Sequence, residues 1–433
     1  MDPIFVGIIG IIVLIFLIFI RMHIGISMAL VGFLGFAYIV GIEPALGVLK
    51  SVPYSTLSSQ NLSVIPLFIL MGAFAFTAGI SEDLYRTVHK WLGHFRGGLA
   101  MATVVACACF AAISGSSLAT AATLGKVAMP EMTKYKYHPA LATGAIAAGG
   151  SIGILIPPSV ILIIYGIITE QSIGKLFLAG FIPGLLEAAF YILTIMIITR
   201  MNPALGPPGP RSSMSEKMTS LLKVWEVILL FVVVIGGIYL GVFTPTEAAG
   251  VGAFGTFCFV VYRKRLTWES FKSSLLQTSV TTGMLFMVVM GAMILGYFFS
   301  VSRLPFELAT WVGDLNVNRY VILVLILVAV GVLGCLMDSM AIVLLTVPVF
   351  YPLTQSLGFD PIWFGILIVR VTEMGLITPP VGLNVYIIHG ITRVPMGTIF
   401  KGVVPFIIAD ILEIILLIAI PEITLFLPGL MDG

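Results

Sequence analysis

Two segments of this chain place a proline pair in the middle of an apolar run: GGSIGILIPPSVILIIYG at 149–166 and EMGLITPPVGLNVYIIHG at 373–390, with a shared Gly-x-x-x-Pro-Pro core. Proline brings no N–H and clashes with the carbonyl one turn earlier, so a helix stops there. The residue before it is pushed toward extended backbone. Carbonyls around 153–158 and 375–380 are therefore expected to lose their intrahelical donors, and a dehydrated Na⁺ accepts such oxygens as ligands. The residues after each pair start a new half-helix, whose first N–H groups and dipole favour an anion. One break can thus hold a cation and an anion together. A plain proline kink is the simpler reading of one such pair, but two matching copies argue against it.

Two further apolar runs are broken by small polar residues. LAMATVVACACFAAISGSSLATAATLG (99–125) is interrupted by SGSS, and the run 320–352 is interrupted by GCLMDS. Ionisable residues at membrane depth are costly and default to functional hypotheses. Arg370 and Glu373 stand three apart on one helix face. They read either as a structural ion pair or as Arg370 gripping a carboxylate or sulfonate while Glu373 orients it, which suits the planar guanidinium. Asp338 reads as an N-cap or as a ligand. Lys126 and Glu187 are expected to pair across helices, and Glu247 reads as a first-turn acid that complements a helix dipole. The serines of GSS at 115–117 have no intramembrane His or Lys suitably placed as a base, which argues against an enzyme. No Gly-x-x-x-x-Gly-Lys sequence is present to bind ATP. The five histidines lie near the ends of apolar runs and form no ligand cluster, so no metal other than Na⁺ is expected. The four cysteines read as small packing residues.

The elements that carry these residues follow from hydropathy. A mean hydropathy of +1.14 with only 10% charged residues does not describe a soluble chain. The fold class is an all-α polytopic membrane protein. Its net charge of +2, with no dense basic tract, gives no reason to expect nucleic acid. Apolar runs near 4–20, 24–41, 63–80, 140–169, 175–199, 224–243, 246–262, 275–300, 361–391 and 402–420 approach the ~20 residues of a crossing. The first of these reads as a retained span rather than a cleaved signal. The halves of the two broken runs are short for a crossing, so each run is expected to be a re-entrant hairpin; irregular backbone is tolerated at membrane depth only under protein or water. Segments 81–98 and 263–277 mix charge with aromatics and are expected to be amphipathic helices at the cytoplasmic surface.

Charge supports the hairpins. With the N-terminus outside, most of the 22 Lys and Arg fall on the cytoplasmic side, and only Lys50, Lys175, Arg303 and Arg319 fall outside. Counting either hairpin as a full crossing flips everything after it and spoils that asymmetry. The Pro/Gly-rich segment 201–223 divides the chain nearly equally. Each half holds three spans, a hairpin, a Pro-Pro-broken span and a final span. Five crossings is an odd number, so the halves have inverted topology, with the first hairpin entering from the cytoplasm and the second from outside. This is the inverted-repeat plan of secondary transporters. The expected divisions are a scaffold part at 1–98, a transport part at 99–200, the linker at 201–223, a second scaffold part at 224–304 and a second transport part at 305–433.

The segments GGSIGILIPPS, EMGLITPPVGLN, AISGSSLATAATLG and GCLMDSMAIVLLTVPVFYP resemble the large membrane subunit of TRAP transporters, the tripartite ATP-independent periplasmic family. The resemblance covers essentially the whole chain. It implies Na⁺-driven uptake of small organic anions by an elevator mechanism in a bacterial or archaeal cytoplasmic membrane, with both termini on the periplasmic side. The only coupling ligand implied is Na⁺, with no cofactor. The implied partners are a periplasmic substrate-binding protein and a small four-helix membrane subunit, which is separate in an unfused chain such as this resembles. The resemblance implies a first Na⁺ site made by Ser114, Ser117, Gly153, Ile156 and Pro158. It implies a second made by Gly334, Gly375, Thr378 and Val381, mostly through backbone oxygens. Between them, Ser116, Asp338, Thr378 and Asn384, with Arg370, are the substrate candidates. A stand-alone divalent-anion:Na⁺ symporter shares this architecture and is the alternative.

Overall fold

The computed structural model describes residues 2–314 and 317–431, among which there are helices and no strands. The first half of the chain forms α1 (Pro3–Phe19), α2 (Ile24–Val40), α3 (Ile42–Leu57), α4 (Val64–Thr77), α5 (Ile80–Leu92), α6 (Gly98–Ser114), α7 (Ser117–Lys134), α8 (Pro139–Ser151), α9 (Val160–Thr169) and α10 (Ile173–Met201). The second half begins with α11 (Met214–Leu221) and α12 (Trp225–Phe231), which a π turn at Val232–Gly236 joins to α13 (Gly237–Tyr239). It continues through α14 (Pro245–Tyr262), α15 (Trp268–Ser302), α16 (Leu304–Asp314), α17 (Arg319–Gly334) and α18 (Ser339–Ser356). It ends with α19 (Pro361–Gly375), α20 (Leu383–Thr392), α21 (Met396–Ala419) and α22 (Glu422–Gly429).

Side-chain caps set many of these boundaries. Ser116, Ser159 and Ser172 accept from the N–H groups of Ala119, Leu162 and Lys175, and Asp338 and Asp360 each accept from two first-turn N–H groups. Thr244 with Glu247, and Ser213 with Glu216, form reciprocal capping boxes. Glu247 accepts from the N–H and hydroxyl of Thr244, in keeping with a first-turn acid.

Four features depart from the sequence reading. The expected surface helix at 263–277 is not separate. Thr267 caps a single 35-residue helix, α15, with no proline before Ser302, so the change of polarity near 275 marks a change of surroundings and not of backbone. The segment 81–98 forms helix α5 only as far as Leu92. Helices α3 and α16 occupy segments not read as elements, and the linker contains the capped helix α11. Finally, α18 at 18 residues is by itself long and apolar enough to cross a membrane. Four other stretches pass the same test: 60–77, α10, α15 and α21. Most of the remaining apolar helices are shorter, because turns or breaks divide their runs.

Small residues bring helices from the two halves of the chain into close crossings. A Cβ on Gly25 would lie 2.6 Å from the Met287 carbonyl oxygen, and one on Gly32 would lie 2.7 Å from Leu295 Cα, which fixes α2 against α15. A Cβ on Gly402 would run into the Ala140 carbonyl, and one on Gly144 would meet the backbone of Gly402, so α8 and α21 touch backbone to backbone. Replacing Gly402 with Val is expected to cost about 1–3 kcal/mol by overpacking. Thermal unfolding of the purified protein checks this, and an unchanged midpoint would contradict the close crossing.

Two polar ties hold the helix ends. Arg263, after α14, donates to the carboxylates of Asp83 and Glu226 and to the carbonyls of Ala78 and Lys223. It thereby ties α5 to the start of α12. In the loop between α7 and α8, burial pushes the Tyr137 phenol up to about 12. It stays protonated and accepts the Leu99 N–H at 3.0 Å.

Candidate functional site

Helices α6 and α7 pack against each other and meet at Gly115 and Ser116. Gly115 is left-handed (φ +58°), and a Cβ there would lie 2.8 Å from the Pro158 carbonyl oxygen. The turn therefore abuts the first proline break directly. Gly153 lies on the other side of the same contact, where a Cβ would be 3.3 Å from the Ser116 carbonyl. The Ser114 hydroxyl bonds Thr120 across the turn at 2.9 Å, and Ser117 is buried. The structure thus brings Ser114, Ser117, Gly153 and Pro158 to one place. Ile156 packs toward Gly184 of α10, with its backbone in the break.

The second turn and break make a tighter contact. A Cβ on Gly375 would lie 2.5 Å from the Gly334 carbonyl carbon and 2.7 Å from its oxygen. Here the loss of carbonyl partners is smaller than expected. Prolines 379 and 380 offer no N–H to the carbonyls four residues before them, Gly375 and Leu376. Thr378 N–H reaches the first at 3.1 Å and Asn384 N–H the second at 3.0 Å. The Thr378 hydroxyl donates to the Met374 carbonyl at 2.6 Å. Val381 precedes left-handed Gly382, which starts α20. Both proline pairs, 157–158 and 379–380, are cis.

Between the turns and helices α4 and α15 lies a cavity of about 430 Å³. Ser114–Ala119 of the first turn line it, as do Asp338, Ser339 and Met340 of the second, and Val160 and Ile161 at the start of α9. Ile69, Gly72 and Phe76 of α4, with Gln277, Thr281 and Leu285 of α15, form the facing wall. Three helix N-termini (α7, α9 and α18) therefore converge on one space, and each presents partial positive charge. Lys126, exposed on α7, also lines it. The expected Lys126–Glu187 pair is not formed, because Glu187 is buried against Arg370.

Arg370 is not at the cavity. It is fully buried among four equally buried carboxylates. Its Nη2 donates to Asp410 at 2.6 Å, its Nε donates to Glu413 at 3.0 Å, and its Nη1 lies 3.3 Å from Glu187 and 3.8 Å from Glu373. Of the two readings open for Arg370 and Glu373, the structure realises the ion pair, enlarged by three further acids, and places the guanidinium among them rather than at the cavity. Asp410 and Glu413 escape a reading that looks for isolated charges. Their signal is two acids three apart on one face of the apolar run 402–420.

Asn384 is likewise away from the cavity wall. It is fully buried on α20, and its side chain donates to the Ala147 carbonyl of α8 at 3.2 Å. Thr378 does not line the cavity either, whereas Ser116 and Asp338 do. Asp338 also caps Met340 and Ala341 through Oδ1, so its two readings, cap and cavity residue, coexist. Gln277, Thr281 and Ser339 were not anticipated as lining residues; Gln277 and Thr281 stand in the Ser/Thr-rich stretch 273–282 at the start of an apolar run, and Ser339 directly follows Asp338.

The chain matches the family described as "Tripartite ATP-independent periplasmic transporter, DctM component" over residues 11–423. It is 37% identical over 377 residues to the C4-dicarboxylate TRAP transporter large permease protein DctM of Pseudomonas aeruginosa, covering 87% of this chain and 88% of that protein. It is 35% identical over 374 residues to the sialic acid TRAP transporter large permease protein SiaM of Vibrio cholerae, covering 86% and 87%. Among solved structures, the YdaH transporter of Alcanivorax borkumensis superposes with a TM-score of 0.60 at 16% identity over 88% of this chain and 89% of that one, a likeness of fold alone.

Proposed function

The chain belongs to the DctM component family of tripartite ATP-independent periplasmic transporters, and from that premise we propose that it imports a small organic acid anion by coupling to Na⁺. It is the large permease subunit of a TRAP transporter, a multi-pass membrane protein of a transporter family and not of an enzyme family. Family membership implies a small membrane subunit and a periplasmic binding protein as partners. The observation that carries the reading is the convergence of two turns, two proline breaks and three helix N-termini around one cavity. Relatives named for a C4-dicarboxylate and for sialic acid support an acid as cargo.

In this reading the two halves are inverted repeats and each turn is the tip of a re-entrant hairpin. The regions 99–200 and 305–433 form a moving body that carries the cavity past a scaffold made by 1–98 and 224–304. The pairing of each glycine-rich turn with its own proline break supports a nearly rigid moving body. Na⁺ is the co-transported ion, held between each turn and its break by backbone oxygens of Gly153, Ile156 and Pro158 on one side and Gly334, Gly375, Thr378 and Val381 on the other. The hydroxyls of Ser114 and Ser117 complete the first set. With two Na⁺ per monoanion, one net positive charge moves inward, and ~100 mV contributes about 2.3 kcal/mol to accumulation. The lysine and arginine distribution supports both termini lying outside the cytoplasmic membrane.

Na⁺-dependent thermal stabilisation of the purified protein, with K⁺ as control, tests the coupling ion. Na⁺ that binds the folded state raises the unfolding temperature with concentration. Pro157→Ala restores a donor to the Gly153 carbonyl and is expected to shift the Na⁺ midpoint upward. Pro379→Ala is expected to shift it less, because Thr378 and Asn384 already serve the equivalent carbonyls. An unchanged midpoint in Pro157→Ala would reduce that break to a kink. Equal stabilisation by K⁺ and Na⁺ would remove Na⁺ from the account.

A further inference from the structure

Resting on the reading of the cavity as the substrate site, we propose that Lys126 binds the acid group of the substrate and that the second turn binds a hydroxyl, so that the cargo is a hydroxylated monoanion. Lys126 is the cation that lines the cavity. No acidic partner holds it among the described residues, and its exposure leaves the ammonium open to the cavity. It shares one face of α7 with Ala119, Ala122 and Thr123, which recur at helical spacing and also line the space. Nine residues separate it from Ser117, about 13 Å along the axis at the α-helical rise. Helical side chains lean toward the N-terminus, which returns the ammonium toward the first turn and the cavity it lines.

The second turn presents a different chemistry to the same cavity. Asp338 Oδ1 is occupied by the Met340 and Ala341 N–H groups, which leaves Oδ2 as an acceptor. Beside it, Ser339 is only 5% exposed, lines the same cavity and has a hydroxyl with no hydrogen-bond partner among the described residues. A buried hydroxyl left without a partner is costly unless a ligand supplies one. A second carboxylate placed there would face Asp338 and be repelled. A hydroxyl instead donates to Asp338 Oδ2 and accepts from Ser339 Oγ. The helix dipoles of α7 and α9, together with Lys126, satisfy one negative charge.

The test uses the protein in complex with its small subunit, in Na⁺ buffer, with four matched probes: butanoate, 4-hydroxybutanoate, succinate and 4-hydroxybutanamide. Calorimetric titration is expected to give 4-hydroxybutanoate the tightest binding. Lys126→Gln is expected to weaken it about tenfold or more, as befits loss of a charge-assisted bond, while Lys126→Arg largely restores it. Ser339→Ala is expected to remove the preference of 4-hydroxybutanoate over butanoate. Succinate binding tighter than 4-hydroxybutanoate, unaltered binding in Lys126→Gln, or no binding of any probe would each overturn the proposal. Failure of the transport reading is distinguishable: it appears as absence of Na⁺-driven uptake in the wild type, whatever the Lys126 variants do.

Discussion

Arg370→Met is expected to prevent accumulation of folded protein. The substitution leaves Asp410, Glu413, Glu187 and Glu373 buried together with no cation between α10, α19 and α21. Removing one partner from a buried ion pair typically costs about 3–5 kcal/mol, and here four acids lose the same partner. Arg370→Lys is expected to rescue only partly, because a single ammonium cannot reproduce the fork that serves several carboxylates. Combining Arg370→Met with Asp410→Asn and Glu413→Gln is expected to recover part of the yield. Size-exclusion profiles and thermal midpoints check the series. The result also separates the two roles considered for this arginine. A substrate ligand would lose uptake while keeping a wild-type midpoint, and that outcome would contradict the structural role.

Gly375→Ala is expected to impair transport about tenfold or more in a protein that still folds. The added methyl would meet Gly334 backbone atoms at 2.5–2.7 Å, with no flexible side chain able to give way. The second turn and its break must then separate, at an overpacking cost of about 1–3 kcal/mol. The proposed second Na⁺ site, which spans that contact, loses its geometry, and uptake is expected to fall about tenfold or more. Gly331→Ala, one turn before Gly334 on α17, serves as the control. Its methyl would meet the Val371 side chain at 3.3 Å, which can adjust. Uptake assays on both variants, with unfolding midpoints alongside, decide the matter. Wild-type uptake by Gly375→Ala would show that the contact is not needed for transport.

The sequence was informative where the physics is local. Proline pairs stop helices wherever they stand, so α8–α9 and α19–α20 were legible. The Gly/Ser interruptions that divide α6 from α7 and α17 from α18 were legible for the same reason. What was not legible depends on three-dimensional partners. Lys126 and Glu187 are opposite charges in apolar runs, which suggests a pair, but only folding shows Glu187 facing Arg370 while Lys126 opens to the cavity. Arg370 was visible as costly, yet its two strongest partners come from α21, forty and more residues away. The partial healing of the second break depends on the Asn384 N–H reaching back to Leu376, a loop closure that composition does not reveal. The unbroken α15 was missed because a change from polar to apolar residues looks like a boundary when no breaker is present to make one.

The central claim is that this large permease subunit imports an organic acid by using a Na⁺ gradient and its two partners. Its most direct test is uptake into proteoliposomes holding this chain with its small subunit, with the cognate binding protein and its bound acid outside, under an imposed inward Na⁺ gradient. Uptake is expected only with all three components present. It should collapse when K⁺ replaces Na⁺ and increase when the interior is made negative. Uptake that proceeds without the binding protein and small subunit would instead indicate a stand-alone symporter, and uptake indifferent to Na⁺ would contradict the coupling.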